Sequence, residues 1–321
     1  MSHVLNGTRK TRPHTHDRVT AAIHELGYSQ NLAARNLARG RSSLLGLIIS
    51  DIRNPFFPEV TSAFQDHALD HEMDAVVLNT NYDPARTLHA VKRLVGLQVP
   101  GVAILTSQVE PAAVEVLSRA GVASVLLDLG KVDRNISNIS ISYEQGICTA
   151  LRHLVELGHR HIGYVGGPVH LPSVGRRKLA FTDGAKQLGL DASFAVDADF
   201  TVRGGYAGFS SLLRDAAAQG VQPTAIITGN DLTAIGVMHS AWDAGLQVPR
   251  DLSVVGFDDI LFSEHTQPAL TTVAVPRKEI GALAFQALWA MISDPDHAGR
   301  EYRVDTRLVI RNSTACPASR A

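Results

Sequence analysis

"LLGLIISDIRNPFF", residues 44–57, is the stretch on which the fold turns. Leu44 to Ser50 form an apolar run of strand length, Asp51 closes it with a charge, and Pro55 stands where first-turn proline opens a helix. The next apolar positions recur at helical spacing through Met73. A strand, a polar exit and a helix, in that order, make half of a strand–helix–strand unit.

The same unit recurs along the chain. "DAVVLNT" (74–80), "GVAILTS" (101–107), "ASVLLDL" (123–129) and the polar-flanked "NISNISIS" (135–142) read as strands, with helices expected over Pro84–Leu97 and Pro111–Ala120. Gly101 and Gly121 punctuate the helix exits. In the second half "HIGYVGG", "AVDADF", "TAIITGN", "LSVVGFD" and "LTTVAV" read as strands. Helices are expected near Arg176–Leu188, Gly204–Ala218, Leu232–Ala244 and Lys278–Ile292. Strands alternating with helices of this length predict parallel α/β sheets, here two doubly wound lobes.

The strand exits carry polar residues: Asp51, Asn79 and Asn81, Thr106-Ser107, Asp128, Asp199-Phe200, Asn230-Asp231 and Asp258-Asp259. Open α/β sheets bind ligands beyond the carboxyl ends of their strands. At any single exit, Asn or Asp is equally well explained as a cap for the next helix. Their recurrence points to a polar cleft between the lobes for a small polar ligand.

Charge divides the chain. Residues 1–46 hold seven Lys and Arg against two Asp and Glu, a net of +5, while residues 47–321 hold 23 against 29, a net of −6. A basic segment with four histidines and helical apolar spacing suits contact with a polyanion such as DNA. The 45% of apolar residues suffice for real cores. No apolar run reaches the roughly 20 residues a membrane-spanning helix needs, and no export signal is legible. Cys148 and Cys316 stand alone without a CxxC partner, which suits a reducing, cytoplasmic compartment.

Sequence chemistry for an enzyme is thin. His67 and His71 have i, i+4 spacing but lack the glutamate of a zinc protease helix, and read as a solvated helix face. His159 and His161 sit where a helix gives way to a strand, with no cysteine or carboxylate cluster to complete a metal site. "VGGP" lacks the Lys-Ser/Thr of a phosphate loop, and neither GxGxxG nor GxSxG occurs. The reading is therefore no catalytic residue, no metal and no cofactor.

Four tracts resemble the lactose/galactose repressor type (LacI/GalR) of bacterial transcription regulators: residues 2–57, "HLVELGHRHIGYVGGP", "NDLTAIGVMHSAWDAGLQVPRDLSVVGFDD" and "PALTTVAVPRKEIGALA". The resemblance runs over essentially the whole chain. It implies a partial helix-turn-helix headpiece over residues 1–29, a hinge helix and linker over 30–43, and a two-lobed sensor over 44–321 resembling periplasmic sugar-binding proteins. It also implies a homodimer, in some members a tetramer, on palindromic operator DNA, with a sugar-like effector and no membrane partner.

By the same resemblance Ser2 and His3 face bases at the end of the recognition helix and Asn6 lies near phosphate. Val19, Ala22, Ile23 and Leu26 of the helix around Thr15–Leu26 pack the headpiece. In the hinge, Leu37 corresponds to a wedge between minor-groove base pairs, with Ala34 against the partner's hinge and Asn31 and Arg35 near the backbone. Read from its own surroundings, Leu37 is simply an apolar linker residue. In the sensor the resemblance implies effector contacts from Asp258, Asn230, Arg177 within the doublet Arg176-Arg177, Phe200, Asn54 and Phe56. Ser142-Tyr143 departs from the family, where Asp-Asn is more usual.

The opening "MSHVLNGTRKTRP" reads as a helix's last turn, an Asn6-Gly7 cap and a basic loop. Family headpieces carry a first helix, a turn and most of the recognition helix ahead of this tract. A natural start upstream of Met1 is therefore expected, and the 321-residue form is expected to dimerise and bind effector but to hold operator weakly. Two other readings compete. A ligand-binding protein without a DNA role would fail to bind operator, and a cytosolic sugar-processing enzyme would turn sugars over.

Overall fold

The computed structural model describes residues 12–26, 42–190, 194–294 and 296–318. The chain divides into two compact units, Met1–Ser43 and Leu44–Ala321. In the first, α1 (Pro13–Glu25) begins on a first-turn proline. Val19 and Ala22 are half-buried. Leu26, expected to pack, is instead 74% exposed. It caps the helix C-terminus rather than lying on its inner face. The expected DNA contacts Ser2, His3, Asn6, Asn31, Ala34, Arg35 and Leu37 lie outside the described residues.

The second unit holds two sheets. Their strands are β1 (Leu44–Ile49), β2 (Asp74–Asn79), β3 (Gly101–Leu105), β4 (Ala123–Leu127), β5 (Ile136–Ile141), β6 (Ile162–Val165), β7 (Ala195–Val196), β8 (Ala225–Thr228), β9 (Ser253–Asp258), β10 (Thr271–Ala274), β11 (Glu301–Val304) and β12 (Arg307–Val309). Among the described residues the first lobe has the order β11-β5-β4-β3-β1-β2 and the second β12-β10-β9-β8-β6-β7. All ladders are parallel except β10 with β12. The helices are α2 (Phe56–Leu69), α3 (Pro84–Gly96), α4 (Pro111–Arg119), α5 (Tyr143–Glu156), α6 (Pro172–Gln187), α7 (Val202–Ala218), α8 (Asp231–Asp243) and α9 (Arg277–Ser293).

Alternation along β1 shows why the sheet is covered on both faces. Leu45, Leu47 and Ile49 join a core with Phe57, Phe64 and Phe285, while Ile48 joins a separate core with Val91, Leu94 and Leu117. Side chains of a strand point alternately to opposite faces, so an all-apolar strand needs a helical layer on each. In the second lobe, glycine sets the helix spacing. A Cβ on Gly205 would meet the Thr233 carbonyl and one on Gly236 the Val202 carbonyl, so the backbones of α7 and α8 approach as closely as glycine allows.

The chain passes between lobes three times, at Ser142, at Val275–Pro276 and at Asp305–Thr306, as strand membership on either side shows. The helix expected at Lys278–Ile292 therefore packs on the first lobe, against α2, β3 and β4, although it follows the second lobe's strands. Expected "AVDADF" keeps only Ala195–Val196 as strand. The helix expected to end before His159, for which the sequence gives no start, is α5, and the strands β11 and β12 lie beyond residue 275, where none is expected. Among the described residues no helix is long and apolar enough to cross a membrane.

Candidate functional site

Several polar strand exits are already taken up by other groups of the protein. Asp51 binds Arg53 through both carboxylate oxygens, each at 2.9 Å. Asn79 accepts from the Ile52 amide and donates to Asn81, and Asp199 accepts from the amide and hydroxyl of Thr201. Asp231 is wholly buried and takes bonds from Ile260 N, Ser263 Oγ and Thr272 Oγ1. For Asp51 and Asp199 the local turn explanation is the correct one, whereas Asn79 and Asp231 are taken up by donors distant in sequence, Asp231 tying the residue 260–263 turn and β10 to the start of α8.

What remains open to a ligand is a narrower set. Asn54 and Phe56, Arg177, Phe200, Asn230 and Asp258, drawn from five separate segments, line one narrow cavity of about 50 Å³ beyond the strand ends of both lobes. Tyr82, Tyr143, Ser107 and Ser173 line it too. Contacts cross it between lobes: Ser173 Oγ donates to Ser107 Oγ at 3.1 Å, and the Tyr82 and Phe200 rings lie 6.5 Å apart.

Arg177 dominates the second lobe's wall. Its residue exposure is 7%, and its guanidinium lies 4.5 Å from the ring centroids of Tyr143 and Phe257 and 5.5 Å from that of Phe200. Nη1 donates to the Gly229 carbonyl at 2.7 Å, whereas Nε bonds to nothing among the described residues. Rings flanking a desolvated cation replace part of the hydration it loses. The neighbouring Arg176 turns away to Asp128. Of the doublet, Arg177 is thus the one that faces the cavity.

Asp258 is 4% exposed, with no hydrogen bond to its carboxyl among the described residues. Burial pushes it up to about 7, and Arg177 and Arg277 oppose that rise while Asp231 adds to it. A carboxyl poised between acid and carboxylate can donate to, or accept from, a hydroxyl. Tyr82 is raised by burial first and then by Asp258, so its hydroxyl stays protonated. Asp258, Tyr82 and Phe200 all have left-handed backbone, at φ 112°, 59° and 63°. Such conformations cost of order 1–3 kcal/mol for residues with a side chain and persist where surrounding packing imposes them.

Asn230 corrects the sequence reading in one respect. It borders the cavity, but Oδ1 accepts from Thr233 N and Thr233 Oγ1, and Nδ2 donates to Phe200 O. Its amide caps α8 and fixes Phe200, leaving one N–H for anything else. Asn54 likewise caps the Phe56 amide through Oδ1. Ser107 is among the polar exits read from the sequence, whereas Tyr82 and Ser173 are not; an aromatic beside the exit asparagines, in "NTNYD", is the available sign of the former.

The histidines flagged earlier sit elsewhere. His67 and His71 pack against Phe285, and His71 also against Trp289, so this face is aromatic rather than merely solvated. His159 is buried, bonded to Thr224, Ser253 and the Ala315 carbonyl. No group of three His, Cys, Asp or Glu among the described residues is placed to hold a metal ion.

This architecture matches known proteins over nearly its full length. A family model described as a periplasmic binding protein-like domain matches residues 151–314. Catabolite control protein A of Priestia megaterium is 32% identical, over 98% of this chain and 94% of that protein. The chain belongs to the LacI family of transcriptional regulators. Within that family the ribose operon repressor of Escherichia coli (strain K12) is 29% identical over 98% of this chain and 94% of its own. The structure of the Lac repressor dimer bound to operator and the anti-inducer ONPF superposes with a TM-score of 0.83 at 26% identity, covering 98% and 94% of the two chains. Two of these relatives are named as repressors, and the chain is a regulator rather than an enzyme.

Proposed function

We propose that this regulator binds operator DNA as a homodimer in the cytoplasm and that a small, sugar-like effector in the Arg177–Asp258 cavity controls its hold on DNA. Residues 1–29 act as the headpiece, 30–43 as the hinge and 44–321 as the sensor. The observation that carries this reading is the convergence of Asn54, Phe56, Arg177, Phe200, Asn230 and Asp258, from both lobes, on one cavity.

Asp258 exchanges hydrogen bonds with effector hydroxyls, Arg177 donates to them, and Phe200 and Tyr82 cover the apolar ring faces from opposite lobes. Asn230 acts mainly by holding Phe200 in place. An effector gripped from both lobes favours one closure state, and operator affinity changes by no more than its differential affinity for the two states. Titration calorimetry against a panel of sugars and nucleosides, followed by operator binding with and without the ligand found, tests the proposal. Binding that survives unchanged in Arg177→Met would place the effector elsewhere. Operator affinity indifferent to every bound ligand would end the regulatory reading.

A further inference from the structure

Ser142-Tyr143, the pair that departs from the family pattern, lies on the first crossover between lobes. Ser142 leaves the cavity, donating to Asp305 and accepting from Arg303 Nε. Tyr143 is buried and opens α5, which packs in the second lobe against α6, β10 and β12. Its hydroxyl donates to Asp128 Oδ2 at 2.5 Å.

Asp128 belongs to the first lobe, at the exit of β4, with a left-handed φ of 62°. Its carboxylate is fully shielded from solvent and also accepts from the Ile141 amide at 3.0 Å. Arg176 of the second lobe reaches the same carboxylate at 3.3 Å and the Asp128 carbonyl at 3.2 Å. Two donors of one lobe thus converge on one buried carboxylate of the other. The opposite face of this arrangement is the effector cavity, where the Tyr143 ring lies 4.5 Å from the Arg177 guanidinium.

We infer that Tyr143 is a positioning residue that couples closure of the lobes to the effector wall: its hydroxyl fastens the second lobe to Asp128 of the first, while its ring carries Arg177. Rotation about the crossovers would pull both Tyr143 and Arg176 from a carboxylate that has been taken out of water. Charge-assisted bonds are about twice as strong as neutral ones, so this contact outweighs the Ser107–Ser173 hydroxyl pair and the Tyr82–Phe200 ring contact. An effector held by Arg177 bears on the ring whose hydroxyl is the clasp, so occupancy and closure share one side chain. The coupling rests on reading the cavity as the effector site; the clasp itself can be tested without an effector.

The test uses the full chain with Cys148→Ser and Cys316→Ser, and spin labels at Ile52→Cys and Val169→Cys, positions 54% and 68% exposed on the two lobes. Inter-label distances are read by pulsed electron resonance. Tyr143→Phe keeps the ring and deletes the bond, and the ratio of closed to open molecules is expected to fall about tenfold, seen as a longer-distance population. Asp128→Asn is expected to open the lobes similarly, and adding Tyr143→Phe to it to do little more, since both remove one interaction. Arg176→Gln, on a half-exposed side chain, gives a smaller opening and serves if Asp128→Asn does not fold. Identical distance distributions in parent and Tyr143→Phe, or fully additive shifts in the double variant, would overturn the clasp. Should no sugar or nucleoside bind while the distances shift as stated, the effector reading fails and the clasp stands.

Discussion

Replacing Asp258 with asparagine is expected to stabilise the chain, and to do so more at high pH than at low, while blunting its response to effector. The carboxyl is pushed up to about 7 in the fold, chiefly by burial, against an ordinary 3.8. A raised acid binds its proton more tightly in the native state than in the unfolded chain. Its contribution is therefore fully present below the ordinary carboxylate range and is lost as pH rises through about 7. The gap, about 3 on the pH scale at about 1.4 kcal/mol each, puts the cost of the buried charge near 4 kcal/mol at pH 8. At pH 5 the unfolded carboxyl is only about one pH unit past its midpoint, and the cost is about 2 kcal/mol. Asparagine copies the neutral acid in shape and removes the charge at every pH. At about 2 °C per kcal/mol for a domain of this size, the variant should melt roughly 8 °C higher at pH 8 and about half as much higher at pH 5. Differential scanning calorimetry of parent and variant at both pH values decides it. A gain independent of pH, or a variant less stable at pH 8, would show that Asp258 is charged and well paired in the native state and would refute the reasoning. In the same samples, the sugar or nucleoside that binds the parent should bind the variant more weakly, with operator affinity in its absence unchanged.

Three further outcomes follow from the geometry. Asn230→Ala should cost about 2 kcal/mol in urea unfolding, because it removes the α8 cap and the tie to Phe200; a loss of effector binding with full stability would contradict that role. Gly236→Ala should cost about 1–3 kcal/mol or more by the same measurement, since the added methyl meets the Val202 carbonyl and the α7–α8 contact must open; a neutral effect would mean the helices have slack. Leu37→Ala should weaken operator binding in a gel-shift titration and leave effector affinity alone, and equal operator affinity for the two proteins would remove Leu37 from the DNA contact.

Local pattern alone determined much of this protein. Runs such as Leu44–Ile49 and residues 254–257 are apolar throughout because parallel strands are covered on both faces, and that signature needs no knowledge of partners. The helices between them start on prolines at 84 and 111, and the six residues that meet in the cavity stand at or near strand exits or on the helix facing them. Tertiary structure decided what depends on pairing across distance. β11 and β12 are short, and β11 is polar and half exposed, so neither has a period of its own; each exists as a strand because β5 or β10, some 160 or 35 residues earlier, offers an open edge. The same long-range choice sends α9 back to the first lobe, where Phe285 meets Phe64 edge to face. It also sorts the polar exits. Asp51 and Asp258 are alike in sequence, each closing an apolar strand, but Asp51 has Arg53 two residues on and satisfies itself locally. Asp258 has no such neighbour and is buried beside Arg177, brought by another helix, so only the folded chain makes it a group whose charge a ligand can feel.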